Sequence, residues 1–174
     1  MLVRILVRLS GGWWAHRERT LRARGPLRRL HAAVHKLYLE EFGGYISLLT
    51  TFAGPPVFPH KPIGVFIAPG AVIGRGVTVY QQVTIGKNDI ETSPRFGSPT
   101  IGDGVYIGAG AKIIGAVTVG AGARVGAGAV VVRDVPAGAT VVAGPVRVLE
   151  RRDEPRLVTD PTPDPAPPGF SRAT

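Results

Sequence analysis

Between Ile67 and Pro136 the sequence repeats every six residues, and few backbone geometries accept that period. Branched aliphatics stand at Ile67, Ile73, Val79 and Ile85, then, after an interruption, at Ile101, Ile107, Ile113, Val119, Val125 and Val131. Gly follows Ile73, Ile85, Ile101, Ile107, Val119 and Val125. Four positions after the aliphatics come Ala71, Val77, Val83, Ala111, Val117, Ala123, Ala129 and Val135, with Asp89 as the polar exception. A period of six matches neither a helix of about 3.6 residues per turn nor a long alternating strand. It matches a solenoid in which each hexad supplies a short strand and a corner, and each coil buries its inward aliphatics on its neighbours. The Gly beside each aliphatic is expected at backbone angles that a Cβ would oppose. The period does not give the hand of the coil, because crossovers between parallel strands are normally right-handed.

Residues 87–99 (KNDIETSPRFGSP) break the phase, since Ile85 and Ile101 are sixteen positions apart. Turn-forming residues fill this stretch, so it is expected to leave the wall as a loop, a common place for substrate contacts on a rigid scaffold. Residues 45–59 (YISLLTTFAGPPVFP) are expected to enter the solenoid as an irregular, Pro-broken coil. The domain reading is a basic helical arm over 1–44, a solenoid over 45–149 and a Pro-rich disordered tail over 150–174.

The chain carries a formal charge of +9, and it is unevenly placed. Residues 1–36 hold nine Arg/Lys against the single acid Glu18, so the basicity belongs to the arm. MLVRILVRLS puts Leu2, Ile5, Leu6 and Leu9 on one helical face, and Gly11 and Gly12 stop it. With Trp13 and Trp14 nearby, membrane-surface contact by residues 1–14 is one reading, and docking on its own subunit or a neighbour is the preferred one. Pro26 suits the first turn of a second helix reaching about Glu41, with an apolar stripe of Leu27, Leu30, Val34, Leu37 and Tyr38. The Arg-rich stretch from Arg17 to Arg29 is expected to be a solvated face. It lacks interleaved aromatics and a recognition module, so no specific nucleic-acid partner is expected. No apolar run approaches the ~20 residues of a membrane-spanning helix, and the expected location is cytoplasmic. The absence of Cys excludes disulfides, thiolate metal sites and a Cys nucleophile.

Of four histidines, His31 and His35 are i,i+4 neighbours. No acidic or third His ligand stands near them, so they are expected to be a surface pair, and no metal is expected. His60, in FPHKPIGVFIAPGAVIG, lies half a coil before the regular hexads. It is the candidate for proton transfer, because neutral imidazole accepts and returns protons near physiological pH.

The strings IAPGAVIGRGVTVYQQVTIG and IGDGVYIGAGAKIIGAVTVGAGARVGAGAVVVRDVP resemble the hexapeptide-repeat acyltransferases, most of all serine acetyltransferases and their sugar-acetylating relatives, over residues 57–149. The resemblance implies a mainly β fold, a left-handed parallel β-helix with a short N-terminal α-helical segment, assembled as a homotrimer. It implies an acetyl-CoA-dependent O-acetyltransferase with His60 as general base. Ala109 and Ala127 would flank the pantetheine arm, with Lys112 and Arg124 near the phosphates. Gln82, Asp89 and Ser98 are assigned to the acceptor.

The sequence departs from serine acetyltransferases in three ways. Pro59 stands where they have an Asp before the catalytic His. Residues 45–59 contain no acid to orient the imidazole. Ser98, in GSPTI, stands where they carry a second His. These departures weigh against L-serine, whose ammonium needs a carboxylate, and toward a sugar or secondary-metabolite hydroxyl. N-acetyl transfer to an amine and a non-catalytic scaffold with basic arms are the rival readings.

Overall fold

The structure, a computed structural model, describes residues 2–144. The tail expected over 150–174 lies outside them. Three helices come first: α1 (Leu2–Leu9), α2 (Gly12–Arg22) and α3 (Gly25–Glu40). Pro26 occupies the first turn of α3, where its missing N–H has no partner to lose. Gly11 and Gly12 interrupt the first helix as expected, at φ 84° and 92°, but a second helix follows at once.

Among the described residues thirteen strands of two or three residues follow and form three parallel sheets, the faces of a triangular prism. The first face holds β1 (Tyr45–Ile46), β3 (Phe66–Ile67), β6 (Thr84–Gly86), β9 (Lys112–Ile114) and β12 (Val130–Val131). The second holds β2 (Thr51–Phe52), β4 (Val72–Ile73), β7 (Thr100–Ile101) and β10 (Thr118–Val119). The third holds β5 (Thr78–Val79), β8 (Tyr106–Ile107), β11 (Arg124–Val125) and β13 (Thr140–Val141). The fold is a left-handed parallel β-helix with a short N-terminal helical segment.

Register shows how the hexads become coils. Phe66 pairs with Thr84, Thr100 with Thr118 and Lys112 with Val130, each eighteen residues on, so three hexads close one turn. Across residues 87–99 the step grows to twenty-eight, as in Val72↔Thr100 and Thr84↔Lys112. Ten residues thus leave the wall, and Asn88 and Gly97 exchange both backbone hydrogen bonds (2.9 Å each) at the neck of the loop. The ten repeating aliphatics from Ile67 to Val131 are at most 2% exposed, and each such side chain contributes on the order of 1.5–3 kcal/mol of burial.

The glycines after these aliphatics serve a different purpose from the expected one. At Gly74, Gly102, Gly108 and Gly120 a Cβ would lie 2.4–2.6 Å from a backbone atom of the next coil, so they permit close stacking. Left-handed backbone occurs instead at the corners, where Gly70, Gly76, Gly104, Gly110, Gly122 and Gly128 have φ between 63° and 78°.

The coil over 45–59 is regular rather than Pro-broken. Tyr45, Thr51 and Val57 pair with Phe66, Val72 and Thr78, each twenty-one residues on. The three additional residues fall between Val57 and Phe66, the stretch that holds His60.

The arm covers this first coil, which has no strand on its outer side. Trp13 packs edge-on to Phe52 and Phe58 (centroids 6.2 and 5.6 Å), and Leu39 joins the prism core. Three expectations for the arm fail here. Arg17 does not lie on a solvated face: it is 3% exposed, its guanidinium lies 4.7 Å over the Phe52 ring, and Nη2 donates to the Thr50 carbonyl. His31 and His35 are not a surface pair, because His35 is 3% exposed and its Nε2 bonds the Ile46 carbonyl at 2.9 Å. Burial holds the His35 and His16 imidazoles below their usual pKa, since it penalises the charged ring. In α3 it is His35 and Leu39 that turn inward, while Leu27, Leu30 and Leu37 of the expected stripe stay exposed. Among the described residues no helix is long and apolar enough to cross a membrane.

Candidate functional site

The three-residue excess between Val57 and Phe66 forms a tight turn outside the prism wall. Lys61 N–H bonds the Phe58 carbonyl (3.1 Å) and Val65 N–H bonds the Pro62 carbonyl (3.2 Å), with Lys61 at φ 61°. Gln82 N–H bonds the Ile63 carbonyl (2.8 Å) and Gly64 N–H bonds the Phe42 carbonyl (2.8 Å), which ties the turn to the next coil and to the arm. His60 stands exposed at the head of this turn.

Its partner is Gln81. His60 Nδ1 lies 2.8 Å from Gln81 Oε1, and because an amide oxygen only accepts, the contact is a hydrogen bond in the tautomer that carries its proton on Nδ1. That tautomer leaves the Nε2 lone pair bare and aimed away from the pair, the state a general base requires. The ring also meets Tyr80 edge-to-face at 5.4 Å, and Tyr80 contacts Tyr106 of the next coil at 5.2 Å. The hydrogen bond that the Tyr106 phenol makes to Tyr80 raises its pKa above the usual value, while Arg124 opposes the shift.

Gln81 begins a column. The Gln81 carbonyl accepts from Gly110 N–H (3.0 Å), and the Ala109 carbonyl accepts from Gly128 N–H (2.8 Å). Gln81, Ala109 and Ala127 therefore repeat one position on successive coils, along the corner between the third and first faces. Coils rise about 4.8 Å each, so the column spans roughly 10 Å. Above Gln81 it presents only methyl groups. Arg124 stands on the third face and Lys112 on the first, flanking this corner from both sides, and both are exposed. Lys112 Nζ donates to the Gly110 carbonyl (3.3 Å) on the corner itself. Beside Arg124 runs a groove of about 660 Å³ lined by Thr78, Tyr106, Gly122 and Thr140.

The three residues assigned to the acceptor fall in different places. Gln82 adjoins Gln81 and takes the left-handed corner that Gly fills at Gly64, Gly110 and Gly128, with φ 60°. Asp89 is exposed in the loop and paired with Lys87 Nζ at 2.5 Å. Ser98 Oγ donates to the Pro69 carbonyl (2.7 Å), at the corner between the first and second faces. Within one chain, then, Gln82 lies beside His60, and Asp89 and Ser98 do not. The loop that carries them is fastened to the wall. Arg95 Nη1 reaches Asp134 at 3.1 Å, and the Thr118 N–H and Arg95 together hold the Asp134 carboxyl below its usual pKa.

Gln81 is the residue that pattern reading misses. Its signal is present in the sequence: Ile46, Phe52 and Phe58 step by six, and Ile67 follows nine later. That excess of three falls opposite Gln81, which is matched by His60 when counted on from the Val57↔Thr78 bridge and by Ile63 when counted back from the Gln82 N–H···Ile63 bond, and spacing alone does not choose between them.

Comparison with known proteins agrees with this architecture. The family described as "Bacterial transferase hexapeptide (six repeats)" matches residues 98–133. The serine acetyltransferase of Synechocystis is 37% identical over 100 residues, which cover 49% of this chain and 39% of that protein. Among solved structures, soybean serine acetyltransferase as the apoenzyme is 39% identical with a TM-score of 0.62, over 77% of this chain and 54% of that one. The Neisseria gonorrhoeae serine acetyltransferase is 30% identical with a TM-score of 0.63, over 82% of this chain and 52% of that one. The chain thus spans about half the length of these relatives, or less.

Proposed function

A hexapeptide-repeat protein similar to serine acetyltransferases, this chain is, we propose, an acetyl-CoA-dependent O-acetyltransferase in which His60 is the general base and Gln81 holds its ring. The observation that carries this reading is the His60–Gln81 hydrogen bond of 2.8 Å at the foot of a column of small residues. The corner fits the donor: Ala109 and Ala127 leave its edge free of side chains beyond Cβ, and Lys112 and Arg124 offer two cations to phosphate.

The chemistry follows from the tautomer. Nε2 takes the proton of the acceptor hydroxyl as that oxygen adds to the thioester carbonyl. A backbone N–H of the wall stabilises the negative charge that develops on the carbonyl oxygen. When the C–S bond breaks, the Nε2 proton passes to the departing thiolate, and His60 returns to its starting state. Gln81 keeps the other nitrogen protonated throughout.

A homotrimer completes the site in this reading. Asp89 and Ser98 lie away from their own chain's His60, so the loop over 87–99 serves the His60 of a neighbouring copy. The acceptor is a small molecule bearing a hydroxyl. L-Serine is the first to test, because a soybean relative is described in complex with serine. Sugars belong beside it, because Pro59 and Ser98 replace an Asp and a His that serine acetyltransferases carry.

The test is thiol release from acetyl-CoA with L-serine and a panel of sugars and amino sugars as acceptors. His60→Ala is expected to keep the fold and lose at least about a hundredfold in turnover, the low end for general-base removal. An unchanged rate would sink the assignment. No thiol release with any acceptor would favour the scaffold.

A further inference from the structure

The apolar row of α1 is not what attaches that helix to the rest of the chain. Leu2, Ile5, Leu6 and Leu9 are 70%, 46%, 41% and 78% exposed, while Val7, on the opposite side, is 2% exposed. The attachment is made by Val7 and by Arg4, whose Nε donates to Glu41 Oε2 and whose guanidinium lies 4.9 Å over the Phe42 ring. The spacing of the four exposed residues, i, i+3, i+4 and i+7, forms one continuous stripe about two turns long. It is outward-facing and has no partner among the described residues.

The exposed charges of the arm that have no ion-pair partner among the described residues are of one sign. Arg8 borders the stripe and is exposed, and Arg19, Arg24, Arg28 and Arg29 are exposed on α2, α3 and the link between them with no acid paired to them. The acids of the arm are already engaged: Glu18 with Arg17 and Arg22, Glu40 with Lys36, and Glu41 with Arg4. An arm that carries unpaired exposed arginines together with an exposed aliphatic stripe is complementary to an anionic lipid surface, where leucines enter the acyl boundary and arginines meet headgroup phosphates. A nucleic acid would use the arginines and leave the leucines in water.

We propose that α1 is a membrane-docking helix: the Leu2–Ile5–Leu6–Leu9 stripe inserts into the interface of a bilayer bearing anionic lipids, and the exposed arginines of the arm hold it there. This surface is independent of the His60 corner, so its test does not depend on the acetyl-transfer reading. In a trimer three such helices would act together, so a weak individual contact becomes a firm one.

The experiment is co-sedimentation of the full chain with vesicles of phosphatidylcholine alone and of phosphatidylcholine with phosphatidylglycerol, at low and high salt. The chain is expected to pellet with the anionic vesicles, at least about tenfold more strongly at low salt, since screening weakens the headgroup attraction. Leu2→Ser/Leu9→Ser is expected to lower the partition coefficient at least about tenfold without changing the melting temperature or the thiol-release rate, because both side chains are already in water. Three outcomes overturn the proposal. The first is wild-type chain that stays in the supernatant. The second is a double variant that binds vesicles as before but shows a smaller assembly by light scattering, which would make the stripe an interface between copies. The third is vesicle binding indifferent to the leucines, with equal salt-sensitive binding to duplex DNA.

Discussion

Replacing Gln81 tests the proposed site at its most specific point. Gln81→Ala removes the acceptor from His60 Nδ1 and touches nothing in the prism core, because the side chain lies outside the wall and is half-buried. The ring then rotates freely and divides between two tautomers, one of which presents Nδ1 without its proton and Nε2 already protonated. A neutral hydrogen bond near a surface is worth about 0.5–1.5 kcal/mol net. At about 1.4 kcal/mol per decade, that converts to a loss of about two- to tenfold in kcat. KM for acetyl-CoA should stay unchanged, because Ala109, Ala127, Lys112 and Arg124 are untouched.

Gln81→Glu is the companion measurement. A carboxylate facing Nδ1–H keeps the tautomer and adds a charge-assisted bond, roughly twice as strong as the neutral one. It should therefore retain the turnover that Gln81→Ala loses. The assay is thiol release across the pH range, with thermal melting as the control for folding. Two results refute the reasoning. If Gln81→Ala runs at the wild-type rate with an unaltered profile, Gln81 does not orient the base. If Gln81→Glu loses turnover as Gln81→Ala does, holding the Nδ1 proton is not what Gln81 contributes.

Two further predictions concern stability. Gln82 holds φ 60° at a corner that Gly occupies on the neighbouring coils, and a side chain in that region costs roughly 1–2 kcal/mol. Gln82→Gly should therefore raise the melting temperature, and a fall would show that the Gln82 side chain makes a stabilising contact. His16 and His35 are buried with pKa values held below the usual 6.5, so the unfolded chain takes up protons first as pH falls. Stability should be constant above the unfolded value and decline as pH drops from about 6.5 toward the lower folded values, a loss that arises as unfolding binds more protons. Circular dichroism melts at a series of pH values check this, and a melting temperature flat from about pH 7 to pH 5 would refute it.

The hexad period, the loop over 87–99 and the inward aliphatics are legible in the sequence because each follows from one-dimensional spacing. A coil of three hexads repeats its inward residues at fixed intervals whatever surrounds it, so Ile67 to Val131 could be assigned from position alone. His60 is a candidate in the sequence only through the resemblance of its setting. The reason for each Gly was not. Sequence shows that Gly74 and Gly76 both belong to the pattern, but close approach at the first and left-handed backbone at the second are properties of stacked coils.

The arm shows the same division more sharply. Its charge and its amphipathic stripes were plain in the residues, yet Arg17 and His35 went inside while Leu2, Leu9 and Leu30 stayed out. The first coil needed a cover, and Phe52 and Phe58 offered aromatic rings that a guanidinium could lie over and an indole could meet edge-on. Sequence by itself determined that the chain winds into a hexad solenoid with a basic helical arm. Tertiary structure alone decided which face of each helix meets that solenoid, and that Gln81 stands opposite His60. Neighbours twenty-one residues apart become neighbours in space only once the coil has closed.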